Sequence, residues 1–216
     1  MRRPTTLLLF AVAVALCGCG GGAVTADVTA DKALNVPPPE ELMREGPLGE
    51  RALGNPNAPV TVIEYASLTC PHCAHFQRDV FPRVKKELID TGKIRFIVRE
   101  FPIGHTSGAA AIVNRCAPAD KYFALFNDFL LRQPEWVSLE IRPDAIYAVA
   151  KGSGMSREAF DKCLTNQTII DGLTEVKQRG RQFGVIGTPT FFANGRKAQG
   201  EVTFEEFKAL IGPQSS

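Results

Sequence analysis

The run Cys70-Pro71-His72-Cys73 constrains this chain more than any other four residues in it. It follows Val60-Thr61-Val62-Ile63-Glu64-Tyr65-Ala66, a stretch rich in β-branched residues that predicts a strand. Cys70 then falls at a helix N-cap, and Pro71 takes the first helical position, where its missing N–H costs nothing. Phe76, Val80, Val84 and Leu88 recur every fourth residue and predict one apolar helix face. Pro82 lies inside that pattern and predicts a kink, because its ring clashes with the carbonyl four residues earlier.

A Cys-x-x-Cys pair at a helix start has one sulfur on the exposed first turn and the other a turn inward. Free backbone N–H groups and the positive end of the helix dipole stabilise an anion there. Cys70 is therefore expected to titrate in the depressed range of about 3.5 to 7.5. His72, protonated or donating, would stabilise the thiolate further, and Cys73 would attack a mixed disulfide and release the substrate. Each pH unit by which Cys70 falls below ambient favours the reduced form by about 1.4 kcal/mol, or roughly 30 mV. A protein that prefers to be reduced gives its disulfide away. A zinc site of four cysteines normally supplies a second close pair, whereas Cys116 and Cys163 are far apart. No metal is expected, and no cofactor.

Beyond Gly92, residues 93–101 predict a second strand, and residues from about 107 to 183 are mostly helical in pattern. Thr188-Pro189-Thr190-Phe191-Phe192-Ala193 is strand-like, Asn194-Gly195 predicts a hairpin turn, and residues 204–211 predict a last helix. The order β-α-β, helical block, β-hairpin, α implies an α/β protein whose mixed sheet carries helices on both faces.

Residues 1–19 have the layout of a secretory signal: Arg2 and Arg3, an apolar run from Leu7 to Leu16, then small residues. Two cleavage readings stand. Leu16-Cys17-Gly18-Cys19 resembles a lipobox and would leave Cys19 lipidated, whereas Val24-Thr25-Ala26 suits release of a soluble protein. Residues 20–49, with three glycines and then Pro37-Pro38-Pro39, predict a flexible tether before a folded unit over 50–212. Without Arg2 and Arg3 the 25 basic residues fall to 23, matching 23 acids. That balance argues against nucleic acid, which needs a concentrated basic surface. Export, to the periplasm or a similar extracytoplasmic space, sets an oxidising compartment. Four cysteines remain there in the folded unit: Cys70, Cys73, Cys116 and Cys163.

These residues resemble the DsbA-like family of thioredoxin-fold thiol-disulfide oxidoreductases over roughly 50–212. The resemblance rests on the Pro71-His72 dipeptide, the preceding strand, and Gly187-Thr188-Pro189-Thr190-Phe191-Phe192 after a helical block. It implies a thioredoxin fold with a helical insertion, about 105–184, between the β-α-β half and the C-terminal β-hairpin-α half. It also implies a cis bond at Pro189, which rests wholly on the resemblance because an X-Pro bond alone is cis only about 5–6% of the time. Thr188 and Pro189 would then face Cys70 and pair with a substrate strand. Glu64 matches the place of a buried acid that moves protons for the inner cysteine. Cys116 and Cys163 are expected to form a structural disulfide, as in some relatives. The activity implied is donation of a disulfide to cysteine-containing exported proteins, with reoxidation by a membrane quinone-linked partner. A disulfide isomerase or reductase kept reduced by a membrane partner is the alternative. A binding module or metal chaperone ranks lower, because the chain has only three His and three Met.

Overall fold

The computed structural model describes residues 36–213. The signal segment, Cys19 and the first part of the expected tether lie outside the described residues. A short helix α1 (Pro39–Met43) and an edge strand β1 (Arg51–Leu53) precede β2 (Val60–Ala66). Helix α2 begins at Pro71–His75 and continues through Phe76–Val80, Phe81–Val84 and Lys85–Ile89 to reach β3 (Ile94–Glu100). Helices α3 (Gly104–Cys116), α4 (Tyr122–Leu131), α5 (Gln133–Trp136), α6 (Pro143–Ala150), α7 (Arg157–Leu164) and α8 (Gln167–Gln182) follow. The chain closes with β4 (Thr190–Ala193), β5 (Arg196–Gln199) and α9 (Phe204–Ile211).

The five strands form one mixed sheet in the order β1-β3-β2-β4-β5. Strands β2 and β3 are parallel, pairing Val60 with Ile94 through Ala66 with Glu100, and the other pairs are antiparallel. Side chains alternate across a strand, so β2 feeds two cores. Val62 and Ala66 join Phe96, Phe191, Phe207, Cys70 and Cys73 on one face. Ile63 and Tyr65 join Ile97, Phe192, Val176 and Phe183 on the other. Period two puts Glu64 on the Val62 face, the one that α2 covers.

The expected kink at Pro82 takes a different form. Phe81 donates its N–H to Phe76 O, five residues back, and Asp90 does the same to Lys85 O. Widened turns flank Pro82 and relieve the clash that its ring would cause in a regular helix. Helix α3 also starts earlier than expected, at Gly104, which takes φ +77° at the chain reversal into it.

Part of the expected tether is docked on the fold. Leu42 is buried among the α8-side residues, and three arginines hold the backbone around it. Arg179 donates to the carbonyls of Glu41, Arg44 and Glu45. Arg115 donates to those of Leu48 and Gly49, and Arg99 donates to the Arg44 carbonyl and pairs with the Glu50 carboxylate at 2.7 Å. Leu42, with Val36 and Leu48 packed against the two cores, anchors the segment by apolar burial, and the side-chain-to-carbonyl bonds add to it. Arg115 in turn forms a buried pair with Glu100 (2.5 Å), which also accepts from the Tyr122 hydroxyl (2.6 Å).

Candidate active site

Cys70 caps α2 in extended geometry, and Pro71 opens the helix. Two bonds from outside the helix fix this turn. The Gln133 side-chain amide, from α5 in the helical insertion, donates to Leu68 O at 2.8 Å and to Cys70 O at 3.0 Å. The loop before it is tied to the start of α3 through Ser67 and Ser107, whose hydroxyls lie 2.8 Å apart in the interior.

The Thr188–Pro189 bond is cis. It brings the Thr188 carbonyl to 3.1 Å from Cys70 Sγ, which donates to it as a thiol. The Thr188 hydroxyl is buried without a partner in this state, and it becomes a donor to the sulfur once Cys70 is an anion. The Cys70 thiol is lowered from 9.0 to about 5. The Cys73 thiol donating to it is the largest cause; burial opposes; Thr188 and the backbone N–H groups of Cys73 and His72 add to the lowering. Cys73 is fully buried and moves the opposite way, well above 9.0, through burial first and then its bond to Cys70 and the charge of Glu64. One pair of identical side chains is thus split into an exchangeable thiolate and a reluctant thiol.

Glu64 lies under this pair, 1% exposed, with one carboxylate oxygen lacking any hydrogen-bond partner. Burial raises its carboxyl from 4.5 to about 8, and the Cys70 charge adds to the effect. A carboxyl that exchanges its proton near neutral pH, close enough to Cys73 to affect it, has the chemistry of a proton carrier for the inner sulfur.

His72 bears on Cys70 in two ways: its backbone N–H faces the sulfur, and its imidazole, exposed with Nδ1 2.6 Å from Glu201 Oε1, interacts with the Cys70 charge. Glu201 and Gln133 carry no local sequence signal, being 129 and 63 residues from their partners.

Cys116, at the end of α3, and Cys163, in α7, are bonded to each other, with Cα atoms 6.2 Å apart. The bond braces the helical insertion and involves none of the residues around Cys70. Among the described residues no group of three or more His, Cys, Asp or Glu is arranged to hold a metal ion, and no helix is long and apolar enough to cross a membrane.

A Cys-x-x-Cys helix start facing a cis-proline loop, on a mixed sheet interrupted by a helical insertion, is the arrangement of a DsbA-like, thioredoxin-fold oxidoreductase. The family model described as Thioredoxin matches residues 48–212, and the chain belongs to that family. It is similar to a Rickettsia conorii protein provisionally named a protein-disulfide oxidoreductase, with 37% identity over 150 residues, 68% of this chain and 53% of that one. The chain thus spans about half the length of that relative. It is also 25% identical to disulfide bond formation protein D of Bacillus subtilis over 168 residues, 76% of each chain. The crystal structure of Wolbachia pipientis alpha-DsbA1 superposes with a TM-score of 0.71 at 29% identity, covering 83% of this chain and 93% of that one.

Proposed function

We propose that this protein donates a disulfide to cysteine-containing exported proteins, using Cys70 as the exchanging sulfur. In the oxidised protein a substrate thiolate attacks Cys70 Sγ. The Cys70–Cys73 bond breaks, a Cys70–substrate disulfide forms, and Cys73 leaves with the electron pair. Glu64 supplies a proton to this buried sulfur, which its surroundings hold as a thiol. A second substrate thiolate then attacks its own chain's sulfur in the mixed disulfide and releases Cys70 as a thiolate. Two electrons have passed from the substrate dithiol to the Cys70–Cys73 pair, and a membrane quinone-linked reoxidase removes them. The extended backbone at Thr188 offers pairing groups for a substrate strand beside the sulfur.

The observation that carries this reading is the opposite movement of the two thiols. With Cys70 at about 5, the thiolate favours the reduced form near pH 7 by on the order of 60 mV, less what solvent screening removes at a residue that is still 8% exposed. A shift in that direction supports a disulfide donor. The basic and apolar N-terminus supports action outside the cytoplasm, in the periplasm or on a lipid anchor at Cys19.

The test is the equilibrium potential of the Cys70–Cys73 pair in glutathione buffers. A value clearly more oxidising than glutathione supports donation, and Cys70→Ser then abolishes exchange. A value as reducing as that of thioredoxin, about −270 mV, overturns it in favour of the isomerase or reductase.

A further inference from the structure

We propose that Glu201 is a positioning residue of the redox centre: from the turn after β5 it holds the His72 ring as an imidazolium beside Cys70. The inference rests on the reading of Cys70 as the exchanging sulfur.

The geometry is that of a charged pair. His72 Nδ1 and Glu201 Oε1 are 2.6 Å apart, at the short end for an N–H to carboxylate bond, as expected when both partners are ionised. The turn that carries Glu201 is itself anchored at both ends. Gly200, at φ +83°, donates its N–H to Pro189 O at 2.8 Å, tying the turn to the loop that faces Cys70. On the other side Thr203 and Glu206 cap α9 reciprocally. Glu201 is therefore delivered to His72 by the same substructure that delivers Thr188 to Cys70, and the two contacts clasp the first turn of α2 from one side.

The charges around His72 form a short sequence. Glu201 and Cys70 act on it directly, both favouring the protonated ring, with Glu201 the larger. Glu201 responds to His72 and also to His75, whose Nδ1 lies 3.5 Å from the same oxygen. His75 Nε2 pairs with Asp79 at 3.0 Å, and Arg78 holds Asp79. An unpaired histidine, at about 6.5, is mostly neutral at neutral pH. Pairing with Glu201 shifts the His72 ring toward its charged form, which adds to the backbone N–H groups already directed at the thiolate. A carboxylate alone at that place would act in the opposite sense, repelling the thiolate, so Glu201 favours the thiolate only through His72.

This sign difference supplies the test. Glu201→Gln is made in the wild-type chain and in a His72→Gln chain; both positions are surface side chains. Cys70 is titrated by its thiolate ultraviolet absorbance, His72 by NMR, and the equilibrium with glutathione is measured. In the wild-type background Glu201→Gln is expected to return His72 toward its ordinary titration and to raise Cys70. The equilibrium constant should move toward the oxidised protein by about two- to fivefold, the range of an exposed ion pair. In the His72→Gln background the same change leaves Cys70 where it was or lowers it. A rise of equal size in both backgrounds, or no change in the first, overturns the proposal. The potential of the unmodified protein decides between donor and reductase separately, so the two readings fail independently.

Discussion

Replacing Glu64 by Gln isolates the energetic consequence of a carboxyl under the cysteine pair. In the unfolded chain this group ionises near 4.5 and in the folded chain near 8. Below about 4.5 it is protonated in both states and carries no ionisation penalty. As pH rises, the unfolded chain releases the proton first, so folded stability falls by about 1.4 kcal/mol per pH unit and levels off above about 8. Near pH 7 the accumulated penalty is about 3 kcal/mol. Glu64→Gln abolishes the titration. Its own buried amide lacks a partner, which costs about 1–3 kcal/mol, but that cost is constant with pH. The readout is therefore the pH dependence: denaturant unfolding of the reduced proteins should show the variant gaining about 3 kcal/mol on the parent between pH 4 and pH 7. In the oxidised parent the step should move to lower pH, since the Cys70 charge that helps raise Glu64 is gone. A stability difference that stays flat with pH would refute the assignment of a buried, titrating Glu64.

Cys70, depressed to about 5, contributes stability to the reduced protein that is complete above about 9 and is lost as pH falls through about 5. Reduced protein should exceed Cys70→Ser by about 2 kcal/mol near pH 7, after allowance for screening, and calorimetry should show the gap closing toward pH 5. Arg115→Met leaves Glu100 buried without its partner and frees the Leu48 and Gly49 carbonyls, so the denaturant midpoint should fall by the equivalent of about 3–5 kcal/mol. Adding Glu100→Leu removes the stranded carboxylate and should restore part of it, the Tyr122 hydroxyl and the two carbonyls remaining without these partners. Cys116→Ala with Cys163→Ala opens a bridge of sequence separation 47 and should cost about 4 kcal/mol by chain entropy, leaving the Cys70 titration unmoved.

How far the site was legible depends on the range of the interaction that makes each part of it. The helix start at Cys70, the proline behind it and the alternation of β2 are local. Capping, the free N–H groups of a first turn and a period of two act over a few residues, so the residues themselves announce them. Glu64 as a buried acid came from the resemblance, and the missing partner for its second oxygen shows only in the packed protein. The resemblance carried the Thr188–Pro189 loop and the Cys116–Cys163 pairing, which no local rule supplies.

Pro82 announced a disturbance in α2, and only its form, widened turns in place of a kink, waited for the structure. Two features came from chain closure alone. Residues 36–49 read as the end of a tether because of their proline run and the glycines before them, yet Arg99, Arg115 and Arg179 anchor their carbonyls from as far as 138 residues away. Glu201 reaches His72 across 129 residues, through a turn that is ordinary until Pro189 and α9 hold it in place. Local propensity encodes the thiolate and its helix. The ion pair beside the thiolate, the amide that clamps its carbonyl and the arginines that dock the N-terminal segment exist only because folding brings distant polar groups together, and no pattern within a window of sequence records such meetings.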